Sequence, residues 1–165
     1  MRERDAFVVE FDHEMAATRR VLERVPDAAF AWAPHERSFS LAGLATHLAV
    51  LPHWGCQILD GTGYDLAGAT NRADTRASRT DVLALFDTHV ADLRRCVLDK
   101  TDAELTADWT LRRGGQVLLS MPRIAALRRF LLHHVIHHRG QMTVYLRLCN
   151  VSVPPLYGPT ADERL

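Results

Sequence analysis

The sequence predicts an all-α fold, a bundle of four long helices, on three observations. Four stretches repeat apolar residues with the helical period of 3.6. The breaks between them hold Pro, Gly, Asp, Asn and Ser, which end helices and form turns. A single segment, around Gly114-Gly115, suits a hairpin or an extended loop instead. The 165 residues are enough to bury one core, and no repeat or composition shift divides residues 1–165, so one domain is expected.

The first helix is expected from about Asp5 to Val25, on the repeat Phe7, Val8, Phe11, Met15, Leu22 and Val25, with Pro26 at its exit. Glu10-Phe11-Asp12-His13 within it matches E-x-x-H, but a di-iron site needs a second copy and two more glutamates, which the chain lacks. Pro26 to Phe39, with Trp32 and Pro34, reads as a connection over the end of the bundle. Ser40 is the expected N-cap of a second helix running to about Leu59, kinked by Pro52. On its helical wheel Leu44, Leu51, Trp54 and Ile58 lie within roughly 60° of His47, so His47 sits inside a core-facing stripe, whereas His53 points to solvent.

Asp60 to Arg79 is rich in Gly, Asp, Asn, Thr and Ser and reads as a mobile surface loop. A third helix from Thr80 to about Lys100 follows from Val82, Leu85, Phe86, Val90, Leu93 and Val97, with His89 at the edge of the stripe and without an obvious partner. The 101–121 segment then carries Asp108-Trp109-Thr110-Leu111 and Gln116-Val117-Leu118-Leu119 on either side of Gly114-Gly115. Pro122 suits the first turn of the last helix, and Pro154 and Pro155 preclude its continuation beyond about Asn150. The tail from Val153 to Leu165 reads as irregular.

The last helix concentrates the chemistry. Four of the nine histidines, His133, His134, His137 and His138, fall within six residues. Residues four apart share a helix face, and two imidazoles so spaced can grip one metal ion. On a straight wheel Leu127, Leu131, His138, Gln141, Tyr145, Leu148 and Cys149 lie within about 60° of His134, and Arg129, Arg139, Thr143 and Arg147 lie opposite. His133 and His137 fall on the flank. The inward pair is therefore His134 and His138, and with His47 three imidazoles face one small core. Buried imidazoles need partners for their polar atoms. Convergence of His47, His134 and His138 on one divalent ion, with water in the remaining position, meets that need.

Net charge is zero and the basic residues are scattered, so no nucleic-acid footprint is present. No run of about 18 apolar residues suggests a membrane span. The N-terminus lacks a signal-peptide pattern, and Cys56, Cys96 and Cys149 are odd in number and distant in sequence, as in a reduced cytoplasmic protein. None of the three stands out as a catalytic thiol.

These residues resemble the DinB/YfiT-like metalloenzyme superfamily. The resemblance rests on Ala45-Thr46-His47-Leu48 and, about 90 residues later, on the H-x-x-H-H-R-G-Q string from His134 to Gln141. The Trp32/Pro34 approach and Tyr145-Leu146-Arg147 also fit, and the likeness covers the chain apart from the 60–79 loop. It implies a four-helix bundle in up-down-down-up order, with a long connection between the second and third helices. It further implies a zinc or nickel ion on His47, His134 and His138, and a homodimer. Relatives of this kind include transferases and isomerases that use a low-molecular-weight thiol on small-molecule substrates. Arg139 is expected to be structural and Gln141 to support a ligand. No residue is singled out as catalytic. The alternative expectation is a metal-stabilised stress or binding protein without turnover, with its fourth metal position blocked, and a third reading is a bundle whose histidines are simply packed.

Overall fold

In the computed structural model, which describes residues 2–67 and 74–164, the four expected helices are present with small shifts at their ends. Helix α1 spans Glu3–Leu22, α2 Leu41–Asp60 and α3 Arg79–Leu98. The last helix runs as three continuous segments: α5 (Arg123–Leu127), a widened π turn (Arg128–Leu132) and α6 (His133–Leu148). A short α4 (Asp102–Thr106) precedes the hairpin, opened by Thr101 and Glu104 in a capping box. Helix α1 packs chiefly on α3 and α6, and α2 packs on the same two, so α1 and α2 are diagonal neighbours in the bundle. Between them lies a core that includes Phe7, Phe11, Leu44, Leu48, Phe86, Leu93, Leu131, Val135 and Met142.

The architecture departs from a plain four-helix bundle by a three-stranded sheet, β1 (Gly63–Asp65), β2 (Asp108–Arg113) and β3 (Gln116–Pro122). The hairpin β2–β3 was legible: Gly114 and Gly115 have φ of 57° and 83°, the left-handed pair a two-residue turn requires. Strand β1 was not, because it lies in the stretch expected to be a loop. It pairs parallel to β2, with Gly63 opposite Thr110. A Cβ at Gly63 would come within 2.5 Å of the Thr110 carbonyl oxygen, so only glycine lets the strands meet. Asp65 then accepts hydrogen bonds from the backbone N–H groups of Ala67, Gly114 and Gly115, fixing the hairpin tip to β1 and holding its carboxyl below the usual range. The rest of that loop is anchored too, by Arg76 N–H to Thr46 Oγ1 and Arg79 N–H to Asp27 Oδ1, while residues 68–73 lie outside the described residues.

Two helix ends are set by chemistry other than that expected. The last helix stops before Pro154 because Asn150 adopts φ of 56°, and the N–H groups of Asn150 and Val151 close back on the carbonyls of Arg147 and Leu146. That is a Schellman stop with asparagine in place of glycine. Arg123, buried at the start of α5, donates to the carbonyls of Ile58, Gly61 and Glu104, so one guanidinium caps the end of α2 and ties it to α4. The tail is irregular but fastened: Asp162 takes Arg147 and the Val153 N–H, and Glu163 takes Arg24.

Candidate metal centre

His47 is positioned by the N-terminus of α2. Ser40 Oγ accepts from the Gly43 N–H at 3.0 Å, and the connection supplies the carbonyls of Trp32 and Phe30 to the N–H groups of Leu41 and Ala42. The first turn is thereby closed, and His47 stands on the second turn facing α6.

The other side of the site depends on the widened turn. A turn closed i→i+5, as by His133 N–H on the Arg128 carbonyl, takes in one residue more than an α turn. One residue is worth about 100° of rotation, so everything beyond Leu132 is swung relative to Leu127 and Leu131. The buried face of α6 is accordingly Val135, Arg139, Met142 and Leu146, a face the straight wheel placed away from the core. His134 sits half-buried at the rim rather than at the centre, His138 is almost buried beside it, and Leu148, expected inside, is 56% exposed. His133 and His137, expected on the flank, are exposed.

The structure brings His47, His134 and His138 together, with one ligand nitrogen from each lying within 4.8 Å of the others, so the three could hold a metal ion. Nε2 of His134 is 3.4 Å from Nε2 of His47 and 2.9 Å from Nε2 of His138. In a tetrahedral site with bonds of about 2.0–2.1 Å, ligand atoms are roughly 3.3–3.4 Å apart. The donor set suits a cation for a second reason. His138 donates from Nδ1 to Gln141 Oε1 at 2.7 Å. A neutral imidazole has one ring proton, so His138 turns the lone pair of its Nε2 toward Nε2 of His134, 2.9 Å away. Burial, followed by the neighbouring imidazoles, pushes His47 down to about 4; burial also lowers His134 and His138. Neutral rings with converging lone pairs are the state a divalent ion requires. Gln141 therefore stands where a partner of a ligand is needed, as its place in the sequence string suggested.

The surroundings are lopsided. Phe39 stacks over His47 with centroids 5.5 Å apart and meets His138 edge-on at 6.3 Å. On the His47–His134 side a cavity of about 110 Å³ opens, lined besides those two by Val50, Leu51 and Trp54.

Several residues weighed from sequence lie elsewhere. Glu10 pairs with Arg128 and His13 stacks on Tyr157, so the E-x-x-H match forms no cluster. His53 is exposed, and His89 does have a partner: its Nδ1 donates to the Ala49 carbonyl at 2.9 Å, three residues before Pro52. Cys56 and Cys96, distant in sequence, meet across α2 and α3; burial, then Cys96, pushes the Cys56 thiol up to about 12, which leaves it protonated and unreactive. Arg139 points away from the three-histidine cluster, as expected, but it is 1% exposed rather than solvent-facing. It donates to the Glu14 carboxylate at 2.6 Å, the Glu14 carbonyl and Thr18 Oγ1, and Tyr157 OH donates to the same carboxylate at 2.7 Å. Nothing in the local sequence could have paired residues 125 apart.

A helical bundle with three histidines gathered at the rim of its core defines the class: a helical protein whose histidine cluster could hold a metal ion. The chain belongs to the DinB family, whose family model matches residues 1–164. It is similar in structure to a DinB-like protein from Bacillus cereus ATCC 10987, at 20% identity and a TM-score of 0.72, covering 93% of this chain and 97% of that one. A DinB-like protein of Bacillus subtilis, YjoA, aligns at 20% identity and a TM-score of 0.70 over 91% and 96% of the two chains. The uncharacterized protein YrdA of Bacillus subtilis is 50% identical over 38 residues, and that match spans only 23% of either chain. Among the described residues no helix is long and apolar enough to cross a membrane.

Proposed function

We propose that the protein binds one divalent metal ion, zinc or nickel, on His47, His134 and His138, and serves as a metal-dependent enzyme acting on a small molecule. The observation that carries this reading is the gathering of the Nε2 atoms of His47, His134 and His138, with His134 Nε2 3.4 Å and 2.9 Å from the other two and the His138 ring proton engaged by Gln141. When bound, the ion would supply Lewis acidity, lowering the pKa of a coordinated water or thiol so that a nucleophile exists at neutral pH. The chain's own groups do the rest. Gln141 fixes the ring of His138, and Phe39 covers one edge of the triad.

Thiol-dependent transfer is the finer form of this proposal. The cavity beside His47 and His134 supports catalysis over a purely structural ion, because structural sites close all four positions with protein ligands. The test is metal analysis of protein purified without a histidine tag. About one equivalent of metal, with a thermal shift on adding zinc or nickel to stripped protein, is the expected result. Less than about one-tenth equivalent and no shift would remove the site, since a folded-state ligand must stabilise by mass action.

A further inference from the structure

A second pair of imidazoles meets across the seam where α2 packs on α3. The rings of His53 and His89 lie with centroids 5.2 Å apart and planes tilted by 32°. Two imidazoles on one tetrahedral ion, each bonded at about 2.0–2.1 Å, hold their centroids roughly 5 Å apart. Within the triad, His47 and His134 stand at 5.1 Å. The two helices are held close beside the pair: a Cβ at Gly55 would come within 2.5 Å of Leu93 Cδ2, so glycine is what lets them pack there. The His89 ring is oriented as the rings of metal ligands are. Its Nδ1 donates to the Ala49 carbonyl at 2.9 Å, which in the neutral ring leaves the lone pair on Nε2. Nε2 of His53 lies 3.5 Å from the Gln57 amide nitrogen, the outer limit of a hydrogen bond, so that contact holds its lone pair weakly. His53 is exposed and His89 half-buried, so an ion in solution can reach both.

We propose a second cation site, shared by His53 and His89, for a borderline divalent ion of the zinc, nickel and copper class, which imidazole suits. His47 and His53 project about 240° apart around α2, so this site lies round the helix from the triad and does not depend on it. Two protein ligands leave the remaining positions to water, and the ion exchanges more readily than one gripped by three. Metal kept through purification therefore reports the triad, whereas metal taken up in equilibrium with a nickel solution reports both sites. When bound, the second ion ties α2 to α3 from outside the core.

The experiment dialyses the full chain, without a histidine tag, to equilibrium against increasing nickel chloride and measures bound nickel. The unaltered protein is compared with His53→Gln, His89→Gln and the double variant. Folding should survive, because His53 is at the surface and glutamine keeps an N–H for the Ala49 carbonyl. The expected result is that each single variant saturates one equivalent lower, and the double variant no lower than either, since one ion is shared. Full uptake by either single variant, or losses that add in the double variant, would overturn the site. The same comparison in a His134→Ala background separates this site from the triad. The lost equivalent should persist there even if the triad binds nothing, and its disappearance would overturn the proposal by showing that the two histidines act through the triad.

Discussion

The last helix carries two polar assemblies on different faces, and they are built on opposite plans. On the α1 side, Arg139, Glu14, Thr18 and Tyr157 form a closed network in which the guanidinium is spent on a carboxylate, a carbonyl and two hydroxyls. On the α2 side, His47, His134 and His138 gather their Nε2 atoms at one point, in contact with one another and with no carboxylate or carbonyl among them. A buried ion pair that is saturated holds a fold together and has no capacity left for a ligand. A cluster with capacity left over is where a ligand belongs. Two neighbouring residues of the same string, pointing to different faces, are thus placed differently: Arg139 binds the helix to the bundle, and His138 joins the histidine cluster.

That contrast can be broken from either side, and the largest effect is expected on the closed face. Arg139→Ala leaves the Glu14 carboxylate buried without its partner, and denaturant titration should register a loss of about 3–5 kcal/mol. Any protein that remains folded should still bind metal at one equivalent. On the open face the outcome inverts. His134→Ala should abolish metal retention while shifting the stability of the metal-free protein by less than about 1 kcal/mol. His133→Ala, on the exposed flank, should leave metal content intact. If the two histidine results were exchanged, the phase of the helix beyond the widened turn would be wrong.

Smaller effects sharpen the picture. Gln141→Ala should keep the stoichiometry and weaken zinc affinity roughly 10- to 100-fold, because the His138 ring loses the acceptor that fixes its tautomer. The smallest effect concerns the tail, where Arg147 and the Val153 N–H hold the Asp162 carboxyl down to about 2, against an ordinary 3.8. Since the folded value lies below the unfolded one, this contribution is complete above about pH 4 and disappears as pH falls through about 2. Hydrogen exchange at Val153 should quicken across that window, and Asp162→Asn should quicken it at neutral pH.

What the sequence disclosed was local. Apolar periodicity, Ser40 as a cap and the Gly114-Gly115 turn gave the helices and the hairpin because each depends on residues a few positions apart. The stripe on α2 likewise picked out His47. What stayed hidden needed knowledge of distant partners or of an irregular backbone. Strand β1 exists only against β2, and the carbonyls that Arg123 serves and the carboxylate that Arg139 serves lie far from them in sequence. The widened turn at 128–132 has no residue signature, so a wheel of constant pitch picked out the histidines that cluster for an incomplete reason. It put them at the centre of a buried stripe, whereas His134 stands half-buried at the rim.

The separation of 87 positions between His47 and His134 has a consequence for assembly. A cation gripping both would close a loop of that length, at a cost that grows only slowly with loop size. The two histidines stand on different helices, so the third ligand arrives with the packing of α2 on α6. His134 and His138 could meet an ion early, as neighbours on one helix, but the grip completes only when α2 has docked. Metal capture would then mark the end of folding, and a chelator would act on the finished protein by loosening its last knot.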